Sequence, residues 1–94
     1  MPYTLLISYD VADDDRRSQI SDTLAAHGAR VQYSAFEVTL PTKKAVQQLR
    51  GTLRKVIDRD EDQIRLYPLP ATVLNELVIL GDRRLEERAD FWIV

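Results

Sequence analysis

Two hydrophobic periods alternate along this chain, and their order leaves few folds open to it. Some segments have a continuous apolar run or a two-residue alternation, which is typical of β-strands. They are 3–10, 30–40, 63–69 and 77–80. Others have apolar residues three and four positions apart, which is typical of amphipathic helices. They are 14–27 and 42–57.

Capping residues mark the ends of both predicted helices. Asp13 is a good N-cap for the first helix and Gly28 marks its end, while Pro41-Thr42 begins the second. Gly51 interrupts the second helix, where a glycine costs up to about 1 kcal/mol relative to alanine or marks a close packing contact. The narrow apolar stripe of the first helix is Ile20, Leu24 and Ala25. The broader one of the second is Ala45, Val46, Leu49, Leu53, Val56 and Ile57.

The order of the elements predicts the fold. Segment 30–40 is long enough for two strands that meet at a tight bend near Ser34 or Glu37. The order is then βαββαβ, which is that of the ferredoxin-like α+β fold, an antiparallel sheet with two helices on one face. We expect residues 1–81 to form this single domain. We expect residues 82–94 to form a charged tether with an apolar C-terminal strand, which docks on a partner such as the other protomer or else folds back onto its own sheet edge.

The second face of such a sheet has no helices to cover it. We expect this face to carry apolar residues such as Leu6, Phe36 and Val38. A chain of 94 residues buries only a modest share of its surface, so an uncovered apolar face favours self-association. The sequence therefore predicts a homodimer, in which any residue near the two-fold axis occurs twice.

Composition excludes several classes of protein. The chain has no cysteine, which excludes a disulfide scaffold, a thiolate metal site and a cysteine nucleophile, and which fits a reducing compartment. It has no apolar run of membrane-spanning length and no signal-peptide pattern at its start, so we expect a cytoplasmic protein that binds no membrane. The net charge of −2 argues against nucleic-acid binding driven by total charge, so local basic patches matter more.

Asp10 is the leading candidate for a functional residue. It follows the apolar strand Tyr3 to Tyr9, so a rigid scaffold holds its carboxylate at the edge of the sheet. Mg²⁺ takes oxygen ligands and needs only one or two protein carboxylates besides water and phosphate oxygens. Two copies of Asp10 in a dimer would supply them. The alternative is that Asp10 only begins a turn or caps the following helix.

Several basic and aromatic residues are open to two interpretations each. Arg16, Arg17 and Arg30 are candidate phosphate ligands, or else surface charges and partners of nearby acids. A stripe on the second helix is either a solvated face or a contact for a duplex backbone; it is Lys43, Gln47, Arg50 and Arg54. Three aromatic residues are expected in the core rather than stacked on bases; they are Tyr9, Tyr33 and Phe36.

Three stretches resemble the signature segments of a known family, the small CRISPR-associated nucleases of spacer acquisition (the Cas2 family). They are Tyr9-Asp10-Val11 followed by residues 13–17, the segment Gly28 to Glu37, and Ile64-Arg65-Leu66-Tyr67-Pro68-Leu69. The spacing between them also resembles that of the family. The likeness covers about residues 3 to 81.

The resemblance implies both an activity and a partner. It implies a ferredoxin-like homodimer with Mg²⁺ or Mn²⁺ held between two copies of Asp10, which hydrolyses phosphodiester bonds in RNA or DNA. It also implies assembly with the CRISPR integrase. Two alternatives remain: a noncatalytic dimeric scaffold that binds duplex DNA within the integrase complex, and a stand-alone toxin that cleaves mRNA.

Overall fold

The computed structural model of the protein describes residues 2–82. Within them lie four strands and three helices. The strands are β1 (Tyr3–Asp10), β2 (Gly28–Gln32), β3 (Ala35–Leu40) and β4 (Gln63–Pro68). The helices are α1 (Asp14–Ala25), α2 (Lys43–Val56) and the single turn α3 (Ala71–Leu74). None of the helices in this range is long and apolar enough to span a bilayer.

The four strands form one antiparallel sheet in the order β2-β3-β1-β4. β1 lies in the centre, where Ile7 is opposite Phe36 on β3 and Leu66 on β4. This order, with a helix in each β-to-β crossover, is the predicted ferredoxin-like arrangement. The predicted βαββαβ fold is therefore confirmed.

The core lies between helices α1 and α2 and one face of the sheet. Strand alternation points Leu5, Ile7 and Tyr9 of β1 to this face, where all three are buried. The other buried apolar residues of the core are Val11, Ile20, Leu24, Phe36, Val38, Leu40, Leu49 and Leu53. The predicted apolar stripe of α2 is confirmed, because its remaining members pack against this cluster. Ala25 is exposed instead, because α1 ends there on its solvent side.

The two N-caps and the bend lie where the sequence predicts them, but the prediction that Gly28 ends the first helix is wrong. The helix ends at Ala25 with Ala26 as its C-cap, and Gly28 is already the first residue of β2. The Asp13 carboxylate accepts a hydrogen bond from the Arg16 amide at 3.0 Å, and the Thr42 hydroxyl accepts one from the Ala45 amide at 3.1 Å. The bend between β2 and β3 falls at Tyr33 and Ser34, which confirms the first of the two predicted positions.

The prediction that Phe36 and Val38 lie on the uncovered face is wrong. Both are buried against the helices, because β3 pairs with β1 in a register that puts Phe36 opposite Ile7. Of the three predicted residues only Leu6, which is half-buried, lies on the outer face. The other outward residues of β1 and β3 are Thr4, Ser8, Asp10, Ala35, Glu37 and Thr39. This face is thus more polar than predicted.

The predicted strand at 77–80 is also wrong for the single chain. Residues 71–74 form a helical turn after Pro70, and residues 77–80 pair with no strand within residues 2–82. An apolar run becomes a strand only when it finds a sheet edge to bond with. All four side chains are exposed, up to 91% at Leu80. The tether and terminal strand predicted for 82–94 lie almost wholly outside the described residues, so the proposed domain boundary at 81 stays a prediction.

Two glycines give opposite expectations for replacement by alanine. A Cβ atom on Gly51 would have no neighbour within 4 Å, so the packing contact considered for Gly51 is absent. We expect Gly51→Ala to raise the free energy of unfolding by about 0.5–1 kcal/mol, because alanine loses less backbone entropy in a helix. A Cβ atom on Gly28 would lie 2.1 Å from the carbonyl oxygen of Glu37, so Gly28→Ala should destabilise the protein. Urea denaturation of both variants measures this, and equal effects would contradict it.

Candidate active site at the end of strand β1

Asp10 is the last residue of the central strand and is exposed on the outer face of the sheet. It lies opposite Gln63, the first residue of β4, and its neighbour Ser8 lies opposite Arg65. No side chain or amide of residues 2–82 makes a hydrogen bond or ion pair with the Asp10 carboxylate. The helix is capped by Asp13 instead, so the alternative that Asp10 caps α1 is wrong. Its carboxylate is therefore available for a ligand.

The Asp62 carboxylate is the most heavily bonded acidic group near this strand end. Its side chain is 0% exposed. Oδ1 accepts a hydrogen bond from the Ala12 amide at 2.9 Å, and Oδ2 accepts one from the Asp58 amide at 2.8 Å. Arg16 donates to both oxygens, from Nε to Oδ2 at 2.8 Å and from Nη2 to Oδ1 at 3.2 Å. One carboxylate thus links the loop after β1, the first turn of α1 and the loop before β4.

Asp62 is not among the site residues that the sequence predicts. In the sequence it is one of three consecutive acids, Asp60-Glu61-Asp62, and nothing in their composition distinguishes it. The distinguishing signal is its position. Asp62 directly precedes the strand whose first residue pairs with Asp10, so the topology brings it to the same end of the sheet.

Arg16 is occupied by acids. Besides the two bonds to Asp62, its Nη2 donates to Glu61 Oε1 at 3.2 Å. The hydrogen bond to Asp62 is the main reason that the pKa of Arg16 is raised above its ordinary value. The predicted phosphate contact of Arg16 is untested, and it would have to compete with these charge-assisted bonds.

Arg17 lies on the other side of the same loop. Its Nη2 and Nε donate to the carbonyl oxygen of Val11 at 2.9 and 3.2 Å, and its Nη1 pairs with Asp14. Its side chain is 40% exposed. Arg17 is thus both anchored one residue after Asp10 and open to solvent, as a phosphate ligand must be.

Arg30 points into the protein and is only 8% exposed. Its guanidinium donates to the Ser21 hydroxyl and to the carbonyl oxygen of Tyr33. It also lies 4.8 Å from the centre of the Phe36 ring, within cation–π range. These contacts favour a structural role that holds β2 and the bend against α1, whereas the predicted phosphate contact of Arg30 stays untested.

The aromatic residues divide between core and surface. Tyr9 and Phe36 are buried as predicted, with ring centres 6.4 Å apart. The Tyr9 hydroxyl donates a hydrogen bond to the Tyr33 carbonyl at 3.4 Å. Tyr33 itself is 61% exposed at the bend, so the prediction that it packs in the core is wrong. A residue at the tip of a two-residue turn projects away from the sheet that the turn connects.

One chain alone offers few ligands for a metal ion. Among residues 2–82, no three His, Cys, Asp or Glu side chains are grouped so that they could hold one. A magnesium ion nevertheless needs only one or two carboxylates when water and phosphate oxygens complete its shell. The exposed and unbonded Asp10 carboxylate fits that requirement once a second carboxylate is brought beside it.

The Asp62–Arg16 ion pair predicts a pH dependence of stability. Hydrogen bonding to Arg16 is the main cause that holds the pKa of Asp62 well below its ordinary value of 3.8. A carboxyl whose pKa is lower in the folded state stabilises the fold above the unfolded pKa, and this is lost as the pH falls toward the folded pKa.

We therefore expect Asp62→Asn to lower the free energy of unfolding by an amount that is constant from about pH 5 to 8. The difference from the wild type should shrink only below about pH 4. Urea denaturation over a pH series measures it. A difference that disappears between pH 5 and 7 would show that another group is responsible.

The fold and the site define a small ferredoxin-like protein with one exposed carboxylate at the end of its central strand, flanked by anchored arginines. Residues 1–76 match the family model described as CRISPR associated protein Cas2. The chain belongs to this Cas2 family, which confirms the resemblance found in the sequence.

Individual relatives agree with the family match. The "CRISPR-associated endoribonuclease Cas2 3" of Synechocystis sp. is 41% identical over 80 residues, which cover 85% of this chain and 86% of that relative. The structure of Cas2 from Streptococcus pyogenes has a TM-score of 0.71 and 28% identity, and covers 83% of this chain and 99% of that one. A chain of a partial Cas6-RT-Cas1–Cas2 complex has a TM-score of 0.73 and 31% identity, with 83% and 90% covered.

Proposed function

We propose that this protein is a metal-dependent endonuclease that hydrolyses phosphodiester bonds during spacer acquisition, with Asp10 as its catalytic residue and metal ligand. The observation that carries the proposal is the exposed Asp10 carboxylate, which no group of residues 2–82 bonds, at the end of a rigid central strand. The endoribonuclease name of the Synechocystis relative supports the reaction class. A cysteine-free chain suits the reducing cytoplasm, which we propose as its compartment.

A homodimer completes the site in this proposal. One Asp10 is a poor metal site by itself, and a two-fold axis near the strand end would supply the second carboxylate. Four successive apolar side chains, Leu77 to Leu80, are exposed in the single chain and provide surface for such an association. The proposed dimer thus buries apolar residues and pairs the two acids in one step.

The groups around the proposed site have separate roles. Bound Mg²⁺ or Mn²⁺ would polarise the phosphoryl oxygen and lower the pKa of its water. Asp10 would hold the ion, and Arg17 would bind a nonbridging phosphate oxygen from its anchored and open position beside Val11. Ser8 and Gln63, adjacent to Asp10 on the outer face, would border the phosphate site.

We expect Asp10→Asn to reduce magnesium-dependent cleavage of single-stranded RNA or duplex DNA by at least about 100-fold, because a site that loses its ligand loses several kcal/mol of charge stabilisation. Asp22→Asn is the matched control, since Asp22 is exposed on α1 and has no part in the site. Cleavage that survives in Asp10→Asn, or that no divalent cation stimulates, would contradict the proposed catalysis.

A noncatalytic scaffold for the integrase is the second candidate, and α2 favours it. This helix contains five cations and no acid, all five are exposed, and none is ion-paired with an acid of residues 2–82. They are Lys43, Lys44, Arg50, Arg54 and Lys55. The structural similarity to a chain of the Cas6-RT-Cas1–Cas2 complex supports an integrase partner. Such a helix face suits a duplex backbone, whose affinity is largely electrostatic.

We expect duplex binding to weaken steeply with salt. The triple variant Lys43→Ala, Arg50→Ala, Arg54→Ala should lower the slope of log K against log salt by about 0.9 for each phosphate that it leaves without a cation. Asp10→Asn should leave both that slope and assembly with the integrase unchanged. Equal slopes for the wild type and the triple variant would exclude α2 as the duplex-binding surface.

Growth arrest on expression, without an integrase partner, would instead support the toxin alternative.

A further inference from the structure

We infer that Asp62 is a positioning residue for Asp10, and that Arg16 acts by holding Asp62 in place instead of by contacting a phosphate. This inference rests on the proposed function of Asp10. The observation that carries it is the convergence of three chain segments on one carboxylate with no solvent access.

The loop that leaves Asp10 is held by side chains instead of by the sheet. Strand pairing ends at Asp10, so the backbone of residues 11–13 has no sheet partner to fix it. Three other contacts replace the sheet. Arg17 donates to the Val11 carbonyl, Asp62 accepts from the Ala12 amide, and Asp13 caps the helix at the Arg16 amide. The Asp62 bond is the one that connects this loop to a different part of the chain.

The strand next to Asp10 is held by the same carboxylate. Asp62 directly precedes Gln63, which lies opposite Asp10 in the sheet. Its carboxylate also accepts from the Asp58 amide, while Asp58 Oδ1 accepts from the amides of Asp60 and Glu61. The side chains of Asp58 and Asp62 thus stabilise the loop before β4 through hydrogen bonds to its amides. Asp62 therefore fixes two backbone segments beside Asp10, the loop that follows β1 and the start of β4.

The charge of Asp62 determines what Arg16 can do. Burying a charged carboxylate away from solvent destabilises the folded state unless the group is paired and hydrogen-bonded. Arg16 supplies two hydrogen bonds and the opposite charge. A phosphate that captured Arg16 would leave Asp62 without its counter-charge. The geometry thus makes Arg16 a poor phosphate ligand and a good partner for Asp62.

The position of Asp10 matters because a bound magnesium ion tolerates little change in the geometry of its ligands. Mg²⁺ requires nearly ideal octahedral geometry, so a small displacement of either Asp10 in a dimer would weaken its binding. Groups that orient metal ligands typically change metal affinity or activity by about 10- to 100-fold when they are removed. Loss of Asp62 should therefore weaken the binding of Mg²⁺ and leave the affinity for nucleic acid unchanged.

The test compares Asp62→Asn with Asp60→Asn, which makes the same change two residues earlier at an exposed side chain that takes no part in the Arg16 ion pairs. We expect Asp62→Asn to raise the Mg²⁺ concentration for half-maximal cleavage about 10-fold and to lower kcat, with KM for the nucleic acid unchanged. Asp60→Asn should match the wild type. A rise in KM alone, or equal effects of the two variants, would overturn the inference.

Arg16 provides an independent arm of the same test. Arg16→Ala should reproduce the Asp62→Asn phenotype, and the double variant should be no worse than the more impaired single variant, because the two residues act as one unit. Additive losses, or a KM effect specific to Arg16→Ala, would mean that Arg16 contacts the nucleic acid directly. If Asp62→Asn fails to fold, Arg16→Lys serves, since it keeps the charge but loses the two-pronged contact and should still weaken the response to Mg²⁺.

Amide hydrogen exchange separates this inference from the proposed function. We expect the Ala12 amide to lose at least about 10-fold of its protection in Asp62→Asn and none in Asp60→Asn, whether or not the protein cleaves nucleic acid. Unchanged protection of Ala12 would overturn the positioning role. Reduced protection in a protein without any magnesium-dependent cleavage would instead count against the proposed catalysis alone.

Discussion

The structure depends on β1 being hydrogen-bonded along both edges. β3 and β4 both run antiparallel to it, and Ile7 lies opposite a residue of each. The same strand has alternate side chains buried under the helices at Leu5, Ile7 and Tyr9. Pairing on two sides and burial on one face leave β1 no freedom to slip in register, because a shift of one residue would expose every buried side chain.

That constraint also determines the position of the candidate site. Since Tyr9 points inward, Asp10 must point outward, and it does so where Gln63 of β4 pairs with it. The two loops at this end would otherwise be loose, and arginine and carboxylate groups tie them together: Arg17 at Val11, and the Arg16–Asp62 pair at Ala12. A carboxylate on a rigid strand suits an ion such as Mg²⁺, which needs only one or two protein carboxylates.

The sequence predicted the elements that local periodicity and capping determine. Asp13, Thr42 and the bend at Ser34 are examples, because each depends on residues a few positions away. It failed where the answer depends on distant residues. The inward orientation of Phe36 follows from its register against β1, and the role of Asp62 follows from a contact 50 residues away along the chain at Ala12. Residues 77–80 show a related failure, since apolarity alone does not reveal whether a sheet edge is within reach.

The apolar run from Leu77 to Leu80 also bears on how the protein behaves in a test tube. Four adjacent apolar side chains are exposed to water there, and an exposed apolar segment of this kind promotes nonspecific association between chains. We therefore expect the aggregation of the purified protein to depend on detergent, ionic strength and protein concentration. Any molecule that covers residues 77–80 should reduce this aggregation.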